Sequence, residues 1–216
     1  TLFEKQFARG QLLDWQPLLD ATKPEARRLL GPASHAAISH ALANFALSCV
    51  QKIVEDRYPG RVIYAGGDDL LVLLPAACIL AAARELRAFY SGEAEVSVDA
   101  DGAFREVKVK FGNTNNSGYL KLGDDVLLTM GPTATASAGI AIAHHQAPLD
   151  GVLAAAREAE RAAKETYGRN AVCVYVLKRS GETLRVGSRW FYDDMPDPIG
   201  KFDEFRLLLQ EDKVSS

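Results

Sequence analysis

The 216-residue chain has only three cysteines, two methionines and two tryptophans. Cys49, Cys78 and Cys173 lie far apart beside apolar neighbours, and no Cys-x-x-Cys pair occurs. That spacing suits neither a disulfide framework nor a zinc site, so all three read as packing residues. No continuous apolar run approaches the ~18 to 20 residues of a membrane helix. The opening Thr1-Leu2-Phe3-Glu4-Lys5 lacks a signal-peptide pattern. The expectation is a cytoplasmic chain with no membrane partner. Charge of one sign is also wanting, since 25 Lys and Arg against 28 Asp and Glu leave a formal net charge of -3. A domain gripping nucleic acid by its phosphates alone would be strongly basic, so any RNA must be held by something else. What the chain does have is 48% hydrophobic residues, enough for one substantial core.

Its most informative stretch is Gly66-Gly67-Asp68-Asp69, set between the apolar runs Val62 to Ala65 and Leu70 to Leu74. Successive side chains of a regular strand point to opposite faces, so the two carboxylates can share a site only where the backbone turns sharply. Two glycines permit such a turn and let an ion or phosphate approach the main chain. The plain alternative is a tight hairpin with solvated aspartates. A second Gly-Asp-Asp, Gly123-Asp124-Asp125, has flanks that alternate like an exposed hairpin and reads as a turn. His144 and His145 are expected to point apart at a strand end, and His35 and His40 are too widely spaced on a helix to chelate. Arg157, Glu158 and Arg161 read as a solvated face.

The periodicity predicts helix, hairpin, helix. Ser34 reads as an N-cap, followed by a buried stripe of Ile38, Leu42, Phe45, Cys49 and Ile53 that ends near Tyr58-Pro59-Gly60. Buried strands at Arg61 to Ala65 and Leu70 to Leu74 come next, then a helix from Ala76 to Tyr90. Residues 93–130 read as an excursion of strands at Glu95–Val98, Val107–Phe111, Tyr119–Leu122 and Val126–Thr129. Thr133 to Ala143 alternates small polar with apolar residues as a strand bordering a ligand. A helix from Pro148 closed by Gly168, a strand Ala171–Leu177, a hairpin within Arg179–Trp190 and a helix Phe202–Leu209 complete the reading.

Three stretches then fall in order: Ile63-Tyr64-Ala65-Gly66-Gly67-Asp68-Asp69-Leu70, Gly131 to Ile140 running on to Ala143-His144-His145, and Ala163-Lys164 with Gly168-Arg169-Asn170-Ala171. With Ser34 to Ser39 before the hairpin and Val176 to Gly181 after the last core strand, they resemble the palm, or cyclase-like, domain of the large subunit of type III CRISPR effector complexes, most closely the Cmr-type branch. The resemblance implies an α+β, ferredoxin-like palm over 32–190 with a β insertion at 93–130. It leaves 1–31 as a loosely helical cut edge and 191–216 as a linker and helix. It also implies conversion of ATP to cyclic oligoadenylate when the complex holds target RNA. Asp68 and Asp69 would be the catalytic metal ligands for Mg²⁺ or Mn²⁺. Gly66 and Gly67 would admit the triphosphate, Ser137 would face the nucleotide, and Lys164 and Arg169 would contact phosphate. Partners would be the other subunits, guide RNA and target RNA.

The chain departs from that family in one respect. Such palms take a further aspartate from an Asp-x-Asp strand before the first helix, whereas Asp14 and Asp20 stand beside Trp15 and Pro17. The expectation is a fragment that turns over little ATP alone. Two other readings stay open: a GGDEF-type diguanylate cyclase, against which Leu70 stands where Glu and Phe usually follow, and a catalytically silent scaffold. Lys164 and Arg169 also fit a helix end satisfying its own dipole.

Overall fold

The computed structural model describes residues 31–112, 118–195, 197–202 and 204. The chain divides into two compact units, Thr1–Ala36 and Ala37–Ser216. Of the first, only 31–36 are described, as the opening of helix α1. The readings placed on Asp14, Asp20 and most of the 202–209 helix lie outside the described residues.

Helix α1 (Pro32–Asn44) continues into two π-helical windings, Phe45–Val50 and Lys52–Arg57. Proline suits a first helical position because its missing N–H needs no partner there. The helix therefore starts at Pro32, with His35 N donating to Gly31 O, and Ser34 lies inside it rather than capping it. A π winding closes i to i+5 hydrogen bonds, so burial falls on adjacent pairs, Cys49 with Val50 and Ile53 with Val54. The predicted α-spaced stripe is corrected accordingly: Ile38 is exposed, and Leu42 and Phe45 are half-buried. The run Pro32–Arg57 is long and apolar enough, by length and composition only, to cross a membrane. No Asp, Glu, Lys or Arg stands between Pro32 and Gln51. That amends the expectation that no such segment exists, although its later turns supply core side chains.

Strands β1 (Arg61–Gly66) and β2 (Asp69–Leu73) form an antiparallel hairpin. Its inner face, Val62, Ala65, Leu70 and Val72, packs on a cluster of Ile53, Val54, Leu86, Phe89, Phe104 and Leu120. The other face is open, so these are half-covered strands rather than the buried pair expected. Helix α2 (Ile79–Ser91) starts three residues later than predicted, because Cys78 N bonds Pro75 O in a turn. It stops at Gly92, whose φ of 75° is the left-handed cap glycine provides.

The segment from 93 to 130 builds two hairpins, β3 (Ala94–Val98) with β4 (Phe104–Val109) and β5 (Tyr119–Leu122) with β6 (Asp125–Leu128). It is not an excursion from the core, since Phe104 and Leu120 belong to the first cluster and Phe111 to a second with Ala88, Ile140, Val172 and Trp190. The Phe89 and Phe104 rings meet at 5.3 Å.

Strand β7 (Ala138–Ile142), helix α3 (Leu149–Glu165), strand β8 (Ala171–Leu177) and strand β9 (Thr183–Arg189) form a three-stranded sheet with α3 packed on it. Strands β7 and β8 are parallel, while β8 and β9 are antiparallel, so the predicted hairpin uses β8 itself as one arm. Ala156, Ala159 and Gly139 let α3 come close: a Cβ on Gly139 would stand 2.7 Å from Glu160 Cα and nearer still to Glu160 N and Ala156 O. The predicted strand from Thr133 shortens to Ala138–Ile142. Residues 132 and 133 form a turn closed by Ala134 N to Gly131 O, and Ala136 O accepts from the Trp190 indole instead of a neighbouring strand. The fold is α+β. The β1–β2 hairpin and the β7–β9 sheet are separate ladders among the described residues.

Candidate functional site

Gly66 pairs with Asp69 in the β1–β2 register, leaving Gly67-Asp68 as a two-residue turn. Gly67 has φ 61° and open space where a Cβ would be. Tight hairpins need positive φ at such a position, so the turn chemistry accounts for this glycine. Asp68 and Asp69 are both exposed, one in the turn and one opening β2. The sharp reversal required for them to share a site is therefore present.

Tyr64 flanks this turn, and Tyr90 carries an electrostatic link to it. A register shift between Val62 and Tyr64 marks a bulge at Ile63. Bulges re-aim side chains, and here Ile63 and Tyr64 both face solvent, with Tyr64 56% exposed. The Tyr64 ring lies over Gly66, where an added Cβ would be 2.7 Å from its Cζ. Tyr90, on the last turn of α2, stands edge-on to Phe45 at 5.3 Å. Burial pushes its hydroxyl pKa up, the Asp68 charge pushes it further, and Arg87 opposes. Asp68 thus lies within electrostatic reach of Tyr90. Same-face spacing from Gly66 could have pointed to Tyr64, but no local signal pairs Tyr90 with Asp68.

The other predicted residues surround a different turn. Gly168, Arg169 and Asn170 all have positive φ, at 77°, 66° and 48°. Arg169 N bonds Ala163 O at 3.2 Å, and Asn170 O accepts from Trp190 N at 3.0 Å. The Trp190 indole donates to Ala136 O at 3.0 Å, so Trp190 links the segment carrying half-buried Ser137 to the Arg169 turn. Arg169 is exposed, and its guanidinium has no hydrogen bond or ion pair among the described residues. It borders a cleft with Arg189, Phe191, Tyr192, Asp193 and Asp194. Lys164 is bonded to Glu160 one turn back at 2.5 Å. No direct hydrogen bond or ion pair joins Asp68 or Asp69 to Ser137, Lys164 or Arg169 among the described residues.

The remaining candidates resolve by geometry. Leu122 pairs with Asp125, so Gly123-Asp124 is a hairpin turn. His35 and His40 are exposed. His144 and His145 do not point apart: β7 ends at Ile142, the chain loses its alternation, and the rings meet at 4.2 Å with Arg179 Nη2 2.9 Å from His144 Nε2. Among the described residues no group of three His, Cys, Asp or Glu side chains could hold a metal. Mg²⁺ is commonly bound by one or two carboxylates together with substrate phosphates, so two adjacent hard-oxygen donors on an exposed turn fit that ion in company with a nucleotide.

The family described as Cas10/Cmr2, second palm domain, matches residues 18–101 and 103–173. The chain belongs to this family. The CRISPR system Cmr subunit Cmr2 of Pyrococcus furiosus is 34% identical over 159 residues, which is 73% of this chain and 14% of that protein. The CRISPR system CMR subunit Cmr2 of Saccharolobus solfataricus is 34% identical over 125 residues, or 58% of this chain and 10% of that protein. The chain therefore spans about a tenth to a seventh of the length of these relatives.

Proposed function

We propose that this chain is the ferredoxin-like palm of the large subunit of a type III CRISPR complex, acting in the cytoplasm to convert ATP into cyclic oligoadenylate when target RNA is bound. The observation that carries this reading is the exposed Asp68-Asp69 pair on a tight glycine turn in a chain of the second-palm family. Asp68 and Asp69 would hold Mg²⁺ or Mn²⁺, which supplies charge neutralisation at the phosphoryl group and activation of the attacking 3′-hydroxyl. Gly67, with no side chain and open space around it, lets a triphosphate approach the backbone. Arg169, exposed and without a partner among the described residues, offers its guanidinium for phosphate in the bidentate manner that suits arginine. Lys164 can contribute only by leaving Glu160. Ser137 contributes a hydroxyl at the edge of β7. Guide and target RNA would be held by the assembled complex with its other subunits, consistent with the mildly acidic chain.

The test is the double variant Asp68→Ala/Asp69→Ala in the full-length subunit, assembled with guide and target RNA. Oligoadenylate synthesis from ATP should vanish while hydrogen exchange across β1, β2 and α2 stays as in the parent. Undiminished synthesis would refute the reading. Product formed from GTP in place of ATP would turn it toward a diguanylate cyclase.

A further inference from the structure

The proposed site has two parts, the acidic turn of β1–β2 and the left-handed turn 168–170. Helix α2 lies under the first hairpin, with Leu86 and Phe89 in the cluster that seats it. Arg87 of the same helix reaches the second part: its Nε donates to Asn170 Oδ1 at 2.9 Å. Its Nη1 donates to Glu93 Oε2 at 2.9 Å and to the Ser91 hydroxyl. Ser91 Oγ donates to Glu93 Oε2 at 2.7 Å, and Glu93 Oε1 accepts from Gly112 N at 2.9 Å. The Arg87 and Glu93 side chains are 4% and 6% exposed.

Burying an ion pair gains little over packing apolar side chains of the same volume, because desolvation offsets the attraction. Stability is thus a weak reason for this network, and fixing a geometry is a stronger one. The geometry in question is strained: Arg169 and Asn170 are consecutive non-glycine residues at positive φ, a region that side-chain-bearing residues disfavour, Asn least and Arg more. Such strain persists only where surrounding contacts over-determine it. Here they are Ala163 O on Arg169 N, Trp190 N on Asn170 O, and Arg87 on the Asn170 side chain. The Arg169 side chain projects from the middle of this held turn with no partner of its own among the described residues.

We propose that Arg87 is a positioning residue which, through Asn170, holds the strained turn so that Arg169 presents its guanidinium to the phosphates of the bound nucleotide. This rests on the reading of Asp68 and Asp69 as the ATP site. The same helix packs under the acidic hairpin and holds the turn that carries Arg169.

The experiment uses the full-length subunit in the RNA-loaded complex and measures kcat and KM for ATP. Arg87→Met should raise KM ~10-fold while kcat falls less than about threefold, as loss of phosphate binding predicts. Asn170→Gly keeps the left-handed backbone accessible, removes the acceptor and leaves the Arg87–Glu93 pair intact, so it should reproduce the effect even if Arg87→Met folds poorly. Arg169→Ala should raise KM to a similar extent, and Arg87→Met/Arg169→Ala should be no worse than Arg169→Ala alone. An unchanged KM in Asn170→Gly while Arg169→Ala raises it, or effects that multiply in the double variant, would overturn the positioning role. Synthesis that survives Asp68→Ala/Asp69→Ala would instead overturn the reading of the acidic turn, and this inference with it.

Discussion

Replacing Gly139 by alanine tests how the β7–α3 layer is built. The new methyl would sit 2.7 Å from Glu160 Cα and closer to Glu160 N and Ala156 O, whereas ordinary contact begins at 3.4 Å. All three atoms are helix backbone and cannot swing aside, so α3 must retreat by roughly 1 Å from β7, loosening also the packing of Ala159 and Ala163 on Ala171, Cys173 and Tyr175 of β8. Overpacking of this kind costs about 1–3 kcal/mol, and rigid backbone neighbours place this case at the upper end. Stiffening the unfolded chain offsets about 0.4–1 kcal/mol, leaving roughly 2–2.6. Hydrogen exchange reads that loss directly, because a fall of about 2.3 kcal/mol in local opening free energy is ~40-fold faster exchange. In the intact subunit, amides of 138–142 and 153–163 should show that acceleration. Those of β1 and β2 should not. Exchange in β7 and α3 within about threefold of the parent would refute the close packing at Gly139.

A pH experiment concerns buried Glu85, which Arg57 Nε contacts at 3.0 and 3.1 Å. Burial raises its carboxyl pKa against the opposing pull of Arg57, Tyr58 and Arg84. As pH rises from the ordinary carboxylate range through that raised value, the folded state holds a proton the unfolded chain has released, so stability falls. Parent minus Glu85→Gln, measured by urea unfolding at stepped pH, should shrink as pH rises; a difference that grows would show that the ion pair outweighs desolvation. Cysteine chemistry gives another test. Burial pushes the Cys49 thiol up to about 12 despite Lys52, and Cys173 is buried while Cys78 is half-exposed. Since the thiolate is the nucleophile, iodoacetamide at pH 8 should alkylate Cys78 first by mass spectrometry, and equal labelling of Cys49 would contradict the packing described.

Legibility in the sequence tracked how local the determining physics is. Strand β8 matches its prediction residue for residue, because an apolar run between a glycine-led turn and Lys178-Arg179-Ser180-Gly181 leaves few alternatives. The acidic turn was readable because glycine at positive φ is a local requirement. The π windings were not: Phe45 to Arg57 has ordinary helix-forming residues, and only packing shows burial falling on neighbours. Nor was the bulge at Ile63, since Val62 through Ala65 are all apolar or aromatic and no alternation marks the slip. Thr133 to Ser137 has a strand-like pattern yet joins no ladder among the described residues, because pairing depends on a neighbour rather than on its own residues. Lys164 and Arg169 looked equivalent in sequence, but Glu160 occupies one, while the other is exposed on a left-handed turn and has no ion pair among the described residues. The Arg87–Asn170 bond spans 83 positions, beyond any short-range signal.

A lone two-stranded ribbon is barely stable in water, and β1–β2 shares no ladder with another described strand. The pose of Asp68 and Asp69 is therefore inherited from the hydrophobic seat beneath them, where Ile53, Val54 and Phe89 bear on the ribbon's underside. Loosening that seat would tilt both carboxylates while leaving every residue around them in place, and a lesion in the helices would then imitate a lesion at the tip.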